Sequence, residues 1–246
     1  MLTNRRNTIT TSTISAEHLT YKRNRHLILD DLNLNVHQGH FIGLLGANGA
    51  GKTTLMRLLN GLATNFTGTI QIGASESIVD RKQLSSFSES LKDVNASRTL
   101  QQIAIDYAMM YIDFSEKAFA EFTTEYELDL HQKLNALSTG NRKKFIAALT
   151  LARETQLYLL DEPFEGIDSM TRKRLISNMI AWKPDAATVI ISDHHVNDIV
   201  NILDEIVVLK DKHIVAHKNT EQLRAETGMS VEAYYESLYQ GGKTND

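Results

Sequence analysis

The stretch Gly46-Ala47-Asn48-Gly49-Ala50-Gly51-Lys52-Thr53 matches the pattern G-x-x-x-x-G-K-[ST] at every fixed position. This pattern is typical of a P-loop, which joins a buried strand to a helix and holds phosphate groups. The preceding run, Phe41–Leu45, is apolar throughout, as a central parallel strand requires. The residues that follow have the apolar spacing of a helix. Motif and flanks therefore agree, and the alternative of a glycine-rich turn that binds nothing is disfavoured.

The residue types in this loop suit nucleotide phosphates. Glycine adopts positive φ without a clash at Cβ, so successive backbone N–H groups turn inward and form an anion-binding nest at a helix N-terminus. Lys52 is expected to neutralise the β- and γ-phosphates, and Thr53 to ligate Mg²⁺. The predicted nucleotide-binding positions here are Gly46, Asn48, Gly49, Ala50, Gly51, Lys52, Thr53 and Thr54.

Composition narrows the class of protein. The 246 residues carry a net charge of −4, and the 26 basic residues are scattered, so we expect no nucleic-acid partner. No cysteine is present, which excludes disulfides and thiolate metal sites and suits a reducing compartment. The longest apolar runs fall far short of the roughly 18 residues of a membrane-spanning helix. Arg5 and Arg6 precede a Thr/Ser-rich stretch, which does not resemble a secretory signal.

Patterns along the chain predict an α/β fold with additions. Short strands at Ile9–Ile14, His18–Tyr21 and Leu32–Val36 predict an antiparallel β layer before the P-loop strand. Beyond the P-loop helix, Thr69–Ile72 predicts another strand. Residues 92–154 have helical spacing, which predicts an inserted helical subdomain. From Leu157 onward strands and helices alternate, as in a parallel sheet covered by helices.

Two adjacent acids follow a buried strand of the predicted sheet. Asp161 and Glu162 end the apolar run Leu157–Leu160, at the carboxyl edge where ligands collect in open α/β sheets. Asp161 suits a Mg²⁺ ligand, and Glu162 suits the base that polarises the attacking water. The alternative is that one carboxylate caps the next segment and the other is solvated.

A second helix start has phosphate-binding chemistry. Ser138 and Gly140 open a helix that is predicted to run to about Arg153, and they offer a hydroxyl and free N–H groups at the positive end of its dipole. Taken alone, this is an ordinary helix cap. Its place between the P-loop and the acidic pair favours a nucleotide contact.

From about Ile14 to about Ala216 the chain resembles an ATP-binding cassette (ABC) ATPase, the subunit that hydrolyses nucleotide in ABC transporters. Leu137, Ser138 and Gly140 match the family's LSGGQ signature, whereas Thr139 and Asn141 depart from it. The resemblance implies a P-loop NTPase core with a mostly parallel sheet, an N-terminal antiparallel β layer and an inserted helical subdomain. It implies a single domain over 1–246, with a core of 1–91 and 155–220, a helical part at 92–154 and a helical tail at 221–246. It also implies ATP and Mg²⁺.

The resemblance assigns four further site residues. Tyr21 is similar to the aromatic residue that stacks on adenine, although a tyrosine in a strand is more often a packing residue. Glu89 stands where the family's glutamine loop places Gln, and it is expected to approach the metal through water. Asp168 resembles the aspartate of the D-loop at the dimer interface, or it caps the following helix. His194 matches the switch histidine that contacts the γ-phosphate. By contrast, His213 and His217 are expected to be solvated.

The resemblance also implies partners. In the family, Ser138 and Gly140 of a second ATPase subunit would complete the site, so a homodimer is expected, together with a separate transmembrane permease at the cytoplasmic face of the cell membrane. The Ser-Thr-Gly signature resembles the exporter branch, and the tail is short for an importer's regulatory domain. Two alternatives remain: a soluble cassette ATPase for cluster assembly or similar work, and a poorly hydrolysing regulatory subunit, which Glu162 and His194 argue against.

Overall fold

Two β-sheets organise the computed structural model, which describes residues 12–193 and 199–240. The nine strands of the described residues are β1 Ser12–Arg23, β2 His26–His37, β3 Phe41–Leu45, β4 Phe66–Ile72, β5 Ser85–Phe87, β6 Leu157–Asp161, β7 Thr188–Ser192, β8 Glu205–Lys210 and β9 His213–Asn219. One sheet is antiparallel, with the order β2-β1-β4. The other has the order β5-β6-β7-β3-β8-β9 and is parallel except for β9. The predicted mostly parallel sheet and antiparallel layer are both confirmed.

The first strand corrects the sequence prediction. Two strands were expected, at Ile9–Ile14 and His18–Tyr21, but β1 is continuous from Ser12 to Arg23. Residues 9–11 lie outside the described part of the chain. The pairing of β1 with β2 slips between Ala16 and Leu19, where His18 has φ 50°. Such a bulge breaks the alternation of apolar residues, so one strand reads as two.

The central strand β3 is buried on both faces. Ile42 and Leu44 face a core between the two sheets, while Phe41 and Leu45 face a second core beneath the helices. This alternation follows from the two-residue period of a strand. Because β3 lies between β7 and β8, the P-loop that follows it emerges in the middle of the sheet.

Eight α-helices lie in the described residues: α1 Lys52–Asn60, α2 Ile78–Gln83, α3 Leu100–Met110, α4 Glu116–Glu125, α5 Thr139–Leu151, α6 Ser169–Trp182, α7 Thr220–Thr227 and α8 Val231–Gln240. Most of them begin at a side-chain cap, among them α3, where Thr99 and Gln102 form a capping box, and α5, which Ser138 caps as expected. Short 3₁₀ turns occupy Leu91–Asp93, Leu134–Ala136 and Val200–Ile202. The sequence also predicts a helix from about Val196, and the start of that helix lies outside the described residues. Within 12–193 and 199–240, no helix is long and apolar enough to cross a membrane.

A buried arginine joins α5 to the sheet. The guanidinium of Arg153 pairs with Asp113 at 2.9 Å, stacks 3.9 Å from the ring centre of Tyr111, and donates to the Ser85 carbonyl at 2.6 Å. Burying such a cation is tolerated only when its donors are paired. These contacts fix α5 against β5, and thereby fix the start of α5 near the carboxyl edge of the sheet.

Candidate functional site

The P-loop backbone passes close to the antiparallel layer. Gly51, the N-cap of α1, has φ 108°, and a Cβ built there would lie 2.7 Å from Leu29 Cδ2. A Cβ on Gly46 would lie 2.6 Å from the Leu209 carbonyl oxygen. Gly51 is therefore required for its left-handed conformation, and Gly46 because a side chain there would strike the backbone of Leu209. The glycines of the loop therefore allow it to pack closely against Leu29 and Leu209.

Lys52 lies beneath this loop. Lys52 is 5% exposed, and its ammonium group donates to the carbonyl oxygens of Gly46 at 2.6 Å and Ala47 at 3.2 Å. Burial lowers the pKa of Lys52, while the charges of Glu162 and Asp161 oppose that shift. The structure thus brings the lysine and both predicted acids into one electrostatic cluster.

Asp161 is the hydrogen-bonded centre of the cluster. Its Oδ2 accepts from the Thr53 hydroxyl at 2.6 Å, and its Oδ1 accepts from the Ser192 hydroxyl at 2.6 Å. The Asp161 N–H donates to Ser88 Oγ at 2.8 Å. One carboxylate and one hydroxyl at the mouth of a phosphate loop are hard oxygen donors, which Mg²⁺ prefers when substrate phosphates complete its shell. The residues present therefore fit the expected metal.

Glu162 has an unusual backbone. Its φ is 47°, in the left-handed region that non-glycine residues rarely adopt. The Glu162 N–H donates to the Ser192 carbonyl at 3.0 Å, and the Glu162 carbonyl accepts from Lys143 Nζ at 2.9 Å. Strain of this kind persists only where surrounding contacts hold it, and it is concentrated at functional sites. Lys143 lies in α5, the helix that begins at the signature residues, so α5 supports the acidic pair.

Glu89 lies beside the predicted metal residues. It shares the lining of a cavity of about 150 Å³ with Thr53 and Asp161. Its carboxylate also pairs with Arg57 at 3.3 Å. The structure therefore brings Glu89 to the site, where Arg57 orients it.

The signature residues pack on the loop after the acidic pair. Ser138 Oγ accepts the Asn141 N–H at 3.2 Å and so caps α5. A Cβ on Gly140 would lie 2.6 Å from the carbonyl oxygen of Gly166. Gly140 therefore lets the start of α5 approach this loop, which leads into Asp168.

Asp168 and Tyr21 have structural contacts, as their alternative interpretations allowed. Asp168 caps α6: it accepts the Thr171 hydroxyl at 2.7 Å and the N–H groups of Met170 and Thr171, and these bonds lower its pKa to about 2. Tyr21 is half-buried opposite Leu29, the residue that Gly51 approaches. Tyr21 thus belongs to the layer behind the P-loop. His194 lies outside the described residues.

Sequence analysis missed two contacts at the site. Ser88, at the end of β5, holds the backbone of Asp161 as described above. The hydroxyl of Tyr239 in α8 accepts the Ala47 N–H at 3.2 Å and donates to the Leu209 carbonyl at 3.2 Å. The only sequence signal was the amphipathic pattern of the tail, which indicates a packed face but not its target.

Comparisons with known sequences agree with this geometry. A family model described as ABC transporter matches residues 29–165. The aliphatic sulfonates import ATP-binding protein SsuB 2 of Pseudomonas syringae pv. syringae is 32% identical over 196 residues, which are 77% of this chain and 66% of that protein. The putative ABC transporter ATP-binding protein AlbC of Bacillus subtilis is 28% identical over 213 residues, which are 79% of this chain and 85% of that protein.

Solved structures share the fold. An ATP-binding subunit of an ABC transporter superposes with a TM-score of 0.81 at 22% identity, covering 93% of this chain and 99% of that one. A bacterial Atm1-family ABC exporter with ATP bound gives a TM-score of 0.74 at 20% identity, covering 96% of this chain and 43% of that one. At these identities the likeness concerns the fold alone. Since the family model spans more than half of its length, this chain belongs to the ABC transporter family, as its ATP-binding domain.

Proposed function

We propose that this chain binds and hydrolyses ATP as one of two ATPase subunits that drive a separate transmembrane permease. The family to which it belongs hydrolyses ATP to power transport. The observation that carries the proposal is the cluster of Lys52, Thr53, Asp161 and Glu162, in which a buried ammonium, a hydroxyl and two acids meet at the mouth of a P-loop. Such a cluster supplies the charges that phosphoryl transfer requires.

Each member of the cluster has a distinct role in the proposal. The P-loop N–H groups and Lys52 hold the β- and γ-phosphates, and the low exposure of Lys52 strengthens its attraction for them. Thr53 and Asp161 would hold Mg²⁺, with Glu89 in contact through water, and this ion neutralises charge on the phosphates. Glu162 orients the attacking water. His194 is assigned the contact to the γ-phosphate on the family resemblance alone.

The proposed second subunit supplies Ser138 and Gly140. Ser138 is the N-cap of α5 and Gly140 lies in its first turn, where backbone N–H groups and the helix dipole favour an anion. Asp168 would lie at the same subunit interface, and Tyr21 would stack on adenine. Because ATP has one charged group more than ADP and both subunits would touch it, ATP has the differential contacts that a closed dimer needs.

Transport direction is the finer part of the proposal. Export is supported by the Ser-Thr-Gly form of the signature at Ser138, Thr139 and Gly140. The sulfonate relatives, by contrast, are named import proteins. Both directions place the chain on the cytoplasmic face of the cell membrane, bound to a permease. Co-purification of a polytopic protein from membranes supports coupling to transport, whereas recovery only in the soluble fraction supports the alternative of a soluble cassette ATPase.

The substitution Glu162→Gln tests the catalytic assignment. We expect ATP binding to be retained, turnover to fall by about 10²- to 10⁴-fold because the general base is lost, and an ATP-bound dimer to accumulate. Phosphate release and light scattering with ATP measure these effects. The control is Glu121→Gln, which changes an exposed glutamate on α4.

Two results would contradict the proposal separately. Normal hydrolysis by Glu162→Gln would remove Glu162 from the catalytic role. Hydrolysis by the wild-type chain while it remains a monomer throughout would exclude the shared two-subunit site.

A further inference from the structure

Three imidazoles surround one buried carboxylate at the amino ends of the parallel strands, the edge of the six-stranded sheet opposite to the P-loop. Glu205 begins β8, and its side chain is only 8% exposed. His40 Nδ1 lies 2.5 Å from Glu205 Oε1, and His217 Nε2 lies 2.5 Å from Oε2. The expectation that His217 is solvated was therefore wrong, because the fold brings the start of β8 beside it.

The third imidazole has no part in these hydrogen bonds. His37 Nδ1 lies 3.6 Å from Glu205 Oε1, beyond hydrogen-bond distance, and its ring centre lies 5.8 Å from that of His40. The two oxygens of Glu205 are already satisfied by His40 and His217. Pairing a buried carboxylate thus explains two of the histidines, and it leaves His37 unexplained.

The spacing of the nitrogen and oxygen atoms suits a metal ion. The ligand atoms of His37, His40 and Glu205 all lie within 4.8 Å of one another. Zn²⁺ with bonds of about 2.0–2.2 Å in tetrahedral geometry needs ligand atoms about 3.3 Å apart. The pair of His37 and Glu205 is near that value, and the closer pair of His40 and Glu205 has to open by about 1 Å. The imidazoles of His37 and His40 are 44% and 37% exposed, so both have room to move.

We propose that His37, His40 and Glu205 bind a divalent transition metal of the Zn²⁺ class, with His217 holding the second oxygen of Glu205. Imidazole nitrogen selects Zn²⁺, Cu²⁺ or Ni²⁺ over Mg²⁺, which prefers oxygen donors. A ligating carboxylate is commonly held by an outer hydrogen bond, as His217 does here. With three protein ligands the site keeps a position for water. It lies roughly 15 Å from the P-loop, the length of the five-residue strand β3.

Zinc titration of the full chain tests this proposal. The chain is used without a histidine tag and without nucleotide, and Zn²⁺ is titrated in competition with a chromophoric chelator. We expect one equivalent to bind, and Co²⁺ in its place to give the visible absorption of a tetrahedral site. His37→Ala should weaken Zn²⁺ binding at least about tenfold, the lower limit seen when even outer-shell partners are removed. Because His37 takes no part in the hydrogen bonds to Glu205, this variant should keep its circular dichroism spectrum.

Two further variants make the result decisive. His213→Ala, on the same strand as His217 but near Asp30, should bind Zn²⁺ as the wild type does. Asp161→Asn should also retain it, which shows that the metal is not at the nucleotide site. Equal Zn²⁺ affinity in His37→Ala and the wild type, loss of binding in Asp161→Asn, or no saturable binding at all would each overturn the proposal.

Discussion

The two edges of the six-stranded sheet, at the carboxyl and the amino ends of its parallel strands, carry polar clusters that are assembled in different ways. At the carboxyl edge, the P-loop and the acidic pair are runs of adjacent residues, of which the first follows β3 and the second begins at the last residue of β6. At the amino edge, the histidine cluster of His37, His40, Glu205 and His217 comes from three separate segments of the chain. Both edges bury a charge. One is Lys52, held by backbone carbonyls, and the other is Glu205, held by imidazoles.

The difference lies in what each edge needs from the rest of the fold. The P-loop forms its nest from its own backbone, so its geometry is encoded within eight residues. The histidine cluster exists only after β8 has paired with β3 and β9 has folded back on β8. The P-loop of the carboxyl edge is therefore encoded locally, while the histidine cluster of the amino edge depends on tertiary structure. If the two edges act independently, a substitution at one edge should leave binding at the other unchanged.

Lys52→Ala should produce the largest effect on ATP binding, and this effect should be confined to the carboxyl edge. Hydrogen bonds to charged groups contribute about 1.5–3 kcal/mol each, so we expect ATP affinity to fall about 100-fold by equilibrium binding. The control is Lys173→Ala, which removes an exposed charge on α6. Zn²⁺ binding at the histidine cluster should not change. Unchanged ATP affinity would count against the phosphate cradle, and a parallel loss of Zn²⁺ binding would break the independence of the two edges.

Acid should lower the free energy of unfolding through the loss of the Glu205 charge at the amino edge. Burial alone would raise the pKa of Glu205, but hydrogen bonds from His217 and His40 outweigh it and lower this pKa to about 2. Because the pKa of Glu205 is lower in the folded state, the ionised carboxylate stabilises the fold at pH values above 4.5, the ordinary pKa of this group. That contribution is lost as the pH falls from 4.5 towards 2. We expect Glu205→Gln to lower the free energy of unfolding at pH 7 by about 2 kcal/mol, since the imidazoles lose a charged acceptor.

Urea unfolding of both proteins across this range measures the effect. The difference in free energy of unfolding between the wild type and Glu205→Gln should shrink as the pH falls from 4.5 towards 2. A difference that does not depend on pH would show that the carboxylate charge does not stabilise the amino edge.

This contrast also explains how much the sequence alone could predict. The α/β class, the P-loop and the start of α5 at Ser138 follow from local patterns, and the structure agrees with each. The strand end at Asp161 was sufficient to place its carboxylate beside Thr53. Strand β5 could not be predicted, because its three residues are too few to show an alternation of apolar and polar side chains. The histidine cluster could not be predicted, because no local pattern states which strand Glu205 will face.

The smallest effect is expected at the contact through which α8 reaches the P-loop. Tyr239→Phe removes the hydroxyl that accepts the Ala47 N–H and donates to the Leu209 carbonyl. An ordinary hydrogen bond contributes about 1 kcal/mol. Because both bonds are long, at 3.2 Å, we expect the pair together to contribute about 1 kcal/mol to the free energy of unfolding, and ATP affinity to weaken by less than about tenfold when both are lost. Tyr234→Phe on the same helix is the matched control. A loss of ATP affinity as large as that of Lys52→Ala would show that the P-loop depends on α8, and that its local encoding is incomplete.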